Sequence, residues 1–135
     1  MTTETDPSHL ELARAFFAAM TVEDHAQIRE LCHPDIAPTQ NGGAPLDLDS
    51  LLAFAKLTHQ AVQGFEYADP KLSSTPGGFV QEHLIRGTLA DGHTVSVPTC
   101  VVGEVIDGRI RALREYFDSA IGSALIAAIQ QAASA

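Results

Sequence analysis

The chain has 135 residues, a formal net charge of −9 and 45% hydrophobic residues. This length is typical of one domain with its own core, so the whole chain, 1–135, is predicted to be a single domain. The acidic balance argues against nucleic acid and anionic membranes as partners, because binding to either is built on Lys and Arg. Without a run of about 18 apolar residues, the sequence predicts no transmembrane span.

The first residues carry acids where a secretory signal would carry bases. Cys32 and Cys100 fit no metal-ligand spacing, and two cysteines do not make a disulfide scaffold. We therefore expect a cytoplasmic protein with two reduced thiols in its core. Residues 1–7 are predicted to be disordered.

Two helices are predicted at the start of the chain. Ser8 and Glu11 form a capping box for a helix that begins after about six residues. Thr21 and Asp24 repeat this pattern for a second helix, which ends before Pro34.

A loop and a third helix follow. Residues 34–48 are dense in Pro, Gly, Asn and Asp, which predicts irregular structure. Asp49 is the expected cap of a helix that continues to about Gln63. Residues 65–74 then show a β pattern, which Pro70 restricts to a bent or edge strand.

The second half of the chain predicts an antiparallel meander. Residues 79–89 form one strand, and residues 93–118 form two long strands joined at Asp107-Gly108. Asp-Gly between β-rich runs is the strongest short hairpin signal, because both central residues of the favoured turn need positive φ. The tail, residues 119–133, is helical by composition.

The last predicted strand carries an unusual carboxylate. Side chains alternate faces along a strand, so Leu113, Glu115 and Phe117 share one side and Tyr116 lies on the other. A charge buried between Leu and Phe is costly without a partner. Either this face is open, or Glu115 has a partner and a role.

Three helices followed by this meander predict an α+β fold. The order of segments and the motifs at 107–110 and 113–118 resemble the SnoaL-like branch of the NTF2-like superfamily and, within it, limonene-epoxide-hydrolase-type proteins. Residues 82–86 and 34–35 add weaker support. The resemblance implies a cystatin-like cone, in which N-terminal helices pack on a strongly curved antiparallel sheet around a deep pocket, with a short C-terminal helix. It also implies a homodimer.

Catalytic candidates come from the same resemblance. In the epoxide hydrolases an Asp on the last strand activates water, and Glu115 stands at that position. Gln81 and His83 fall where an Arg and an Asp orient that carboxylate and protonate the epoxide. Pro38 and Gln40 fall near the Tyr and Asn that hold the water. One carboxylate is therefore kept as Glu, while the acid has become His.

Two other alignments fit less well. Without one extra residue in the turn at 91–92, Glu82 and Leu84 would take the two earlier-strand positions, which is poorer chemistry. The ketosteroid isomerase pattern is also weaker, because the first helix offers Phe16 and Phe17 but no Tyr.

Strand parity predicts the wall of a pocket around Glu115. The wall is mostly apolar with few polar groups, as in small-molecule sites, so the expected partner is a small apolar molecule. The predicted substrate-binding residues are Gln81, Ile85, Val97, Thr99, Leu113, Phe117, Phe17 and Gln40.

Two functional interpretations remain open. In the first, Glu115 and His83 share acid–base work in a cofactor-independent enzyme that performs hydrolysis, isomerisation or cyclisation. In the second, they form a structural hydrogen-bonded pair in a non-catalytic domain that binds a hydrophobic ligand or serves as a scaffold. No pair of histidines has the helical spacing of a metal site with a third ligand nearby, so neither metal nor cofactor is expected.

The remaining histidines and the outer sheet face give simpler expectations. His9, His25 and His59 are predicted at the surface. The outer face mixes charged with apolar residues, which favours a homodimer through the sheet. Its apolar residues are Val80, Leu84, Val102 and Tyr116.

Overall fold

The computed structural model describes residues 6–135. The described residues form the elements α1 (Pro7–Thr21), α2 (His25–Leu31), β1 (Cys32–Gln40), α3 (Leu48–Ala61), β2 (Val62–Thr75), β3 (Gly78–Leu89), β4 (Thr94–Ile106), β5 (Arg109–Phe117) and α4 (Ser123–Ser134). Residues 1–7 were predicted to be disordered, and 1–5 lie outside the described part of the chain. Asp6 and Pro7 are the N-cap and the first residue of α1. None of the described helices is long and apolar enough to cross a membrane.

An aspartate immediately precedes each of the first three helices and serves as its N-cap. The carboxylates of Asp6, Asp24 and Asp47 accept backbone N–H hydrogen bonds at 2.8–3.1 Å. These bonds satisfy donors that have no partner within the helix. The predicted N-cap residues of these three helices, Ser8, Thr21 and Asp49, are therefore wrong.

One five-stranded sheet runs in the order β1-β5-β4-β3-β2. Neighbouring strands are antiparallel except β1 and β5, which are parallel, so the sheet is mixed rather than antiparallel as predicted. Part of the predicted loop at 34–48 is strand β1. Its prolines are tolerated because β1 is an edge strand, where a missing N–H need not break the ladder.

Turns and bulges give the sheet its shape. Asp107 and Gly108 have φ of 54° and 75°, which confirms the predicted hairpin turn. In β2 the pairing with β3 shifts between Ala68 and Lys71, beside Asp69 with φ of 51°. This bulge produces the interruption that was predicted at Pro70.

The C-terminal helix begins later than predicted. The Asp118 carboxylate accepts N–H hydrogen bonds from Ala120 and Ile121, at 2.8 and 3.3 Å. These bonds stabilise a turn, so the regular helix begins only at Ser123.

Strand parity on the inner face is confirmed. Glu115 lies on the side of the sheet that faces the helices, and Tyr116 is 43% exposed on the opposite side. The inner-face residues that are at least nine-tenths buried include Gln81, His83, Ile85, Val97, Thr99 and Leu113.

The core lies between this inner face and the helices, in two clusters. One joins α1 and α2 to the sheet through Phe16, Ile28 and Phe79. The other joins α4 to the sheet through Val97 and Leu125.

A close approach of strands β3 and β4 depends on a glycine. Phe79, which is fully buried, pairs with Gly103, and a Cβ at Gly103 would collide with the Phe79 ring. We expect Gly103→Ala to cost about 1–3 kcal/mol of unfolding free energy through overpacking. Phe79→Leu in the same chain should recover part of that loss, because the two positions are in direct contact. Urea denaturation measures both effects.

Gly77→Ala is the matched control, since a Cβ there meets no heavy atom within 4 Å. Equal costs for the Gly103 and Gly77 substitutions would contradict the steric explanation.

Candidate active site

A cavity of about 280 Å³ lies between the inner face of the sheet and the helices. Helices α1, α3 and α4 and all five strands contribute to its wall. The volume is near the lower end of small-molecule sites.

Most of the predicted pocket residues lie on this wall, and three do not. The predicted residues that line the cavity are Phe17, Gln40, Ile85, Val97, Leu113, Glu115 and Phe117. The predicted residues that the structure leaves off its wall are Gln81, His83 and Thr99. All three share the inner face but are buried in the core beside the cavity.

The Glu115 carboxylate projects into the cavity next to Gln40. Parallel pairing of β1 with β5 puts the two residues opposite each other, and Gln40 Nε2 donates to Glu115 Oε1 at 2.9 Å. Burial raises the pKa of the Glu115 carboxyl, and the hydrogen bond from Gln40 partly opposes that rise. The cavity therefore holds a carboxylate that binds a proton more readily than an exposed one.

Tyr67 brings a phenol into the same cavity, which the sequence analysis missed. Burial raises the pKa of Tyr67, and the nearby negative charge of Glu115 raises it further. Its ring packs edge-on against Phe17 and Phe65, with centroids 5.2 and 4.9 Å away. No described residue makes a side-chain hydrogen bond to the Tyr67 hydroxyl, so a neutral phenol is free to donate to a ligand. The alternation of Phe65 and Tyr67 in the predicted strand was the available signal.

His83 lies behind Tyr67 rather than beside Glu115. Its ring centroid is 4.5 Å from that of Tyr67 and 5.5 Å from that of Phe17. Gln81 Nε2 lies 3.0 Å from His83 Nδ1, and an amide nitrogen only donates, so the proton of the neutral ring is on Nε2. Nε2 is buried without a hydrogen-bond partner among the described residues. Burial lowers the pKa of His83 to about 4, so the ring is neutral at pH 7.

His83 and Glu115 do not form the hydrogen-bonded pair of the structural interpretation, since His83 bonds to Gln81 and Glu115 to Gln40. His83 pairs with Thr99 on β4, whereas Glu115 pairs with Val101 from the other side of that strand. A whole strand and an offset of two residues therefore separate the two side chains. Strand alternation predicts which face of the sheet a side chain is on. It does not predict how far apart two side chains lie along and across the sheet.

His59 is a second correction. It was predicted at the surface, but it is half-buried and lines the cavity from the last turn of α3. His59 Nε2 lies 2.8 Å from the carbonyl oxygen of Met20, at the end of α1.

Within residues 6–135, no group of three or more His, Cys, Asp or Glu side chains is arranged to hold a metal ion. The polar groups of the cavity are instead a carboxyl, a phenol, amides, hydroxyls and an imidazole. Such a set suits proton transfer and hydrogen bonding.

The raised pKa of Glu115 predicts a stability effect with a defined sign. The folded protein binds this proton more tightly than the unfolded chain, so stability falls as pH rises above the ordinary value of 4.5 until the raised pKa is passed. Glu115→Gln removes this loss. We expect the variant to melt at a higher temperature than the wild type at about pH 8, and the difference to vanish near about pH 4. Thermal denaturation across this range measures it, and a variant that melts lower at about pH 8 would contradict the assignment.

Comparisons with known proteins bear on the fold. No model of a known protein family matches the sequence, and no curated protein matches it. A proposed SnoaL-like polyketide cyclase from Jannaschia sp. CCS1 superposes with a TM-score of 0.79 at 15% identity, over 96% of each chain. An LEH-like epoxide hydrolase from M. tuberculosis gives 0.72 at 19% identity, over 95% of this chain and 93% of the other.

An NTF2-like protein from Burkholderia pseudomallei K96243 gives a TM-score of 0.77 at 19% identity, over 88% of this chain and 97% of the other. Identities this low establish shape rather than activity. The predicted cone fold is confirmed, and the chain shares its fold with these SnoaL-like, epoxide-hydrolase-like and NTF2-like proteins.

Proposed function

We propose that this protein is a cofactor-independent enzyme that performs acid–base chemistry on a small, largely apolar molecule. The observation that carries the proposal is a carboxylate with a raised pKa, held by an amide inside a cavity that also contains a neutral phenol. A titratable group whose pKa is shifted by burial inside a cavity is a candidate functional group.

Glu115 is the base in this proposal. A general base works best when its pKa approaches the working pH, and burial moves the Glu115 pKa in that direction. Gln40 holds Oε1, which leaves Oε2 to take a proton. Ionising this group is costly because it is buried among apolar side chains, and a substrate that gives up a proton to it relieves that cost.

Tyr67 is the complementary hydrogen-bond donor. Its raised pKa keeps the phenol protonated at neutral pH, so it can donate to an oxygen on which negative charge develops. Glu115 removes a proton from the carbon next to a carbonyl, and the C–H electron pair moves to form an enolate whose oxygen accepts from Tyr67. With a β,γ-unsaturated ketone, Glu115 returns the proton to the γ-carbon of the conjugated enolate, which completes an isomerisation. In a cyclisation, the enolate carbon attacks a second carbonyl of the same molecule, and the alkoxide that forms takes the proton back from Glu115.

His83 supports Tyr67 in this arrangement. Its ring packs against that of Tyr67, with centroids 4.5 Å apart, and the hydrogen bond from Gln81 restrains its orientation. The predicted role of His83 as proton donor stays a prediction, to be separated from that of Tyr67 by variants of each.

The similar structures support the class of chemistry. A protein named an epoxide hydrolase and another named a proposed polyketide cyclase share this fold. Hydrolysis is the alternative reaction, with Glu115 activating water. A non-catalytic ligand-binding domain is the alternative class of function, which the same largely apolar cavity would serve.

Exchange of the α-protons of cyclohexanone with deuterated water tests the proposal without knowledge of the substrate. The ketone fits a small cavity, and proton abstraction is read directly by NMR. We expect the wild type to accelerate exchange over buffer and Glu115→Gln to lower the protein-dependent rate about 10²- to 10⁴-fold. Tyr67→Phe should lower it about 10²-fold or more, because one oxyanion donor is lost.

Glu30→Gln is the matched control, since Glu30 is exposed on α2, away from the cavity lining and from the sheet. Unchanged exchange in Glu115→Gln would overturn the catalytic proposal. Loss of exchange in His83→Phe with full activity in Tyr67→Phe would move the donor role to His83.

We also propose that the protein is a homodimer through the outer face of the sheet. This face carries half-buried Val80, Leu84 and Val102 together with exposed Tyr116. The exposed charges of Glu82 and Arg86 are opposite in sign, so an isologous contact could pair them across a two-fold axis.

Replacement of Tyr116 by Arg tests this interface. We expect sedimentation to show a dimer for the wild type at tens of micromolar and a monomer for Tyr116→Arg, because the change puts unpaired charge in an apolar contact. Val22→Arg is the control, since Val22 is 71% exposed outside the sheet. A wild-type monomer, or a dimer in Tyr116→Arg, would contradict the interface.

A further inference from the structure

The cavity contains a second polar position that the proposed chemistry does not use. His59 projects from the last turn of α3, while Glu115 lies on β5 and Gln40 on β1. Its ring packs against Phe65, with centroids 5.2 Å apart, and Phe65 in turn packs against Tyr67 at 4.9 Å. One aromatic ring therefore separates the imidazole of His59 from the phenol of Tyr67.

The hydrogen bond to α1 determines which nitrogen of His59 is available. The carbonyl oxygen of Met20 only accepts, so His59 Nε2, 2.8 Å away, carries the proton. In the neutral ring, Nδ1 then holds a lone pair. Within residues 6–135, no side-chain hydrogen bond to Nδ1 is formed, and Nδ1 is not among the fully buried atoms without a partner.

The orientation of this acceptor is restrained from two sides. The Met20 carbonyl holds one edge of the imidazole, and the Phe65 ring packs against it. Lining residues around it are largely apolar, including Met20, Phe54 and Ala55. A restrained acceptor in an apolar wall selects for a ligand that brings a donor to it, since a ligand without one leaves the acceptor unsatisfied.

We propose that His59 Nδ1 is a specificity site that accepts a hydrogen bond from a hydroxyl group of the substrate. This inference rests on the proposed function for the other end of the molecule, where a carbonyl meets Tyr67 and Glu115. The substrate class is then a small cyclic hydroxyketone, with the carbonyl and the hydroxyl on opposite sides of one ring. In this proposal the molecule lies along Phe65, whose ring packs against both His59 and Tyr67.

Two probes differing by one hydroxyl test the proposal: cyclohexanone and 4-hydroxycyclohexanone. The measured quantity is the ratio of their dissociation constants within each protein, from calorimetric or NMR titration. We expect the wild type to bind the hydroxyketone about three- to tenfold more tightly, as one net hydrogen bond provides. In His59→Phe the ratio should fall to about one or below, since phenylalanine offers no acceptor.

His93→Phe is the matched control, because the His93 side chain is 80% exposed in the turn before β4, and it should keep the wild-type ratio. If His59→Phe does not fold, an NMR measurement on the wild type tests the same hydrogen bond. The ¹⁵N resonance of His59 Nδ1 should shift on binding 4-hydroxycyclohexanone and not on binding cyclohexanone.

Equal ratios in the wild type and His59→Phe, or no binding of either ketone by the wild type, would overturn the proposal. An unmoved His59 Nδ1 resonance would also overturn it. Binding ratios require no turnover, so a protein that shows the selectivity but no α-proton exchange would retain the His59 site and lose the catalytic proposal. A protein that accelerates α-proton exchange but shows no selectivity between the two ketones would retain the catalytic proposal and lose the His59 site.

Discussion

The parallel pairing of β1 with β5 is the constraint on which the candidate site depends. It places the Gln40 amide against the Glu115 carboxylate at 2.9 Å, inside a wall of apolar side chains. A carboxylate without such a donor would be expensive to keep in this environment, and one in open water would not have a raised pKa. The edge strand thus supplies a hydrogen-bond donor to an acid that is held among apolar side chains.

The proximity of Tyr67 and Glu115 follows from the curvature of the sheet. Tyr67 lies on β2 and Glu115 on β5, with β4 and β3 between them, yet the charge of Glu115 acts on the Tyr67 phenol. A flat sheet would hold these strands about 14 Å apart, at roughly 4.8 Å per strand. Curvature brings β2 and β5 toward each other, and the His83 ring packs against that of Tyr67.

Local rules predicted much of this structure. The Asp107-Gly108 turn fixed the hairpin, and alternation then assigned Glu115 to the inner face and Tyr116 to the outer one. The same rules failed where pairing between distant segments decides the result. The stretch that forms β1 has the composition of a loop and becomes a strand only by bonding to β5. Parity likewise grouped His83 with Glu115, because a face is a local property, whereas the register and spacing between strands are not.

Gln40 and Glu115 are 75 residues apart in the chain, and this separation has a kinetic consequence. Contacts between distant segments form late, because the entropy of closing a long loop must be lost before the contact is made. During synthesis from the N-terminus, β1 emerges long before β5, so its edge stays unpaired while α3 and three strands are added. The hydrogen bond that supports the buried acid can therefore form only after β5 has been synthesised. Until then the nascent chain exposes a strand without its neighbour, which is the stage at which it is most open to aggregation.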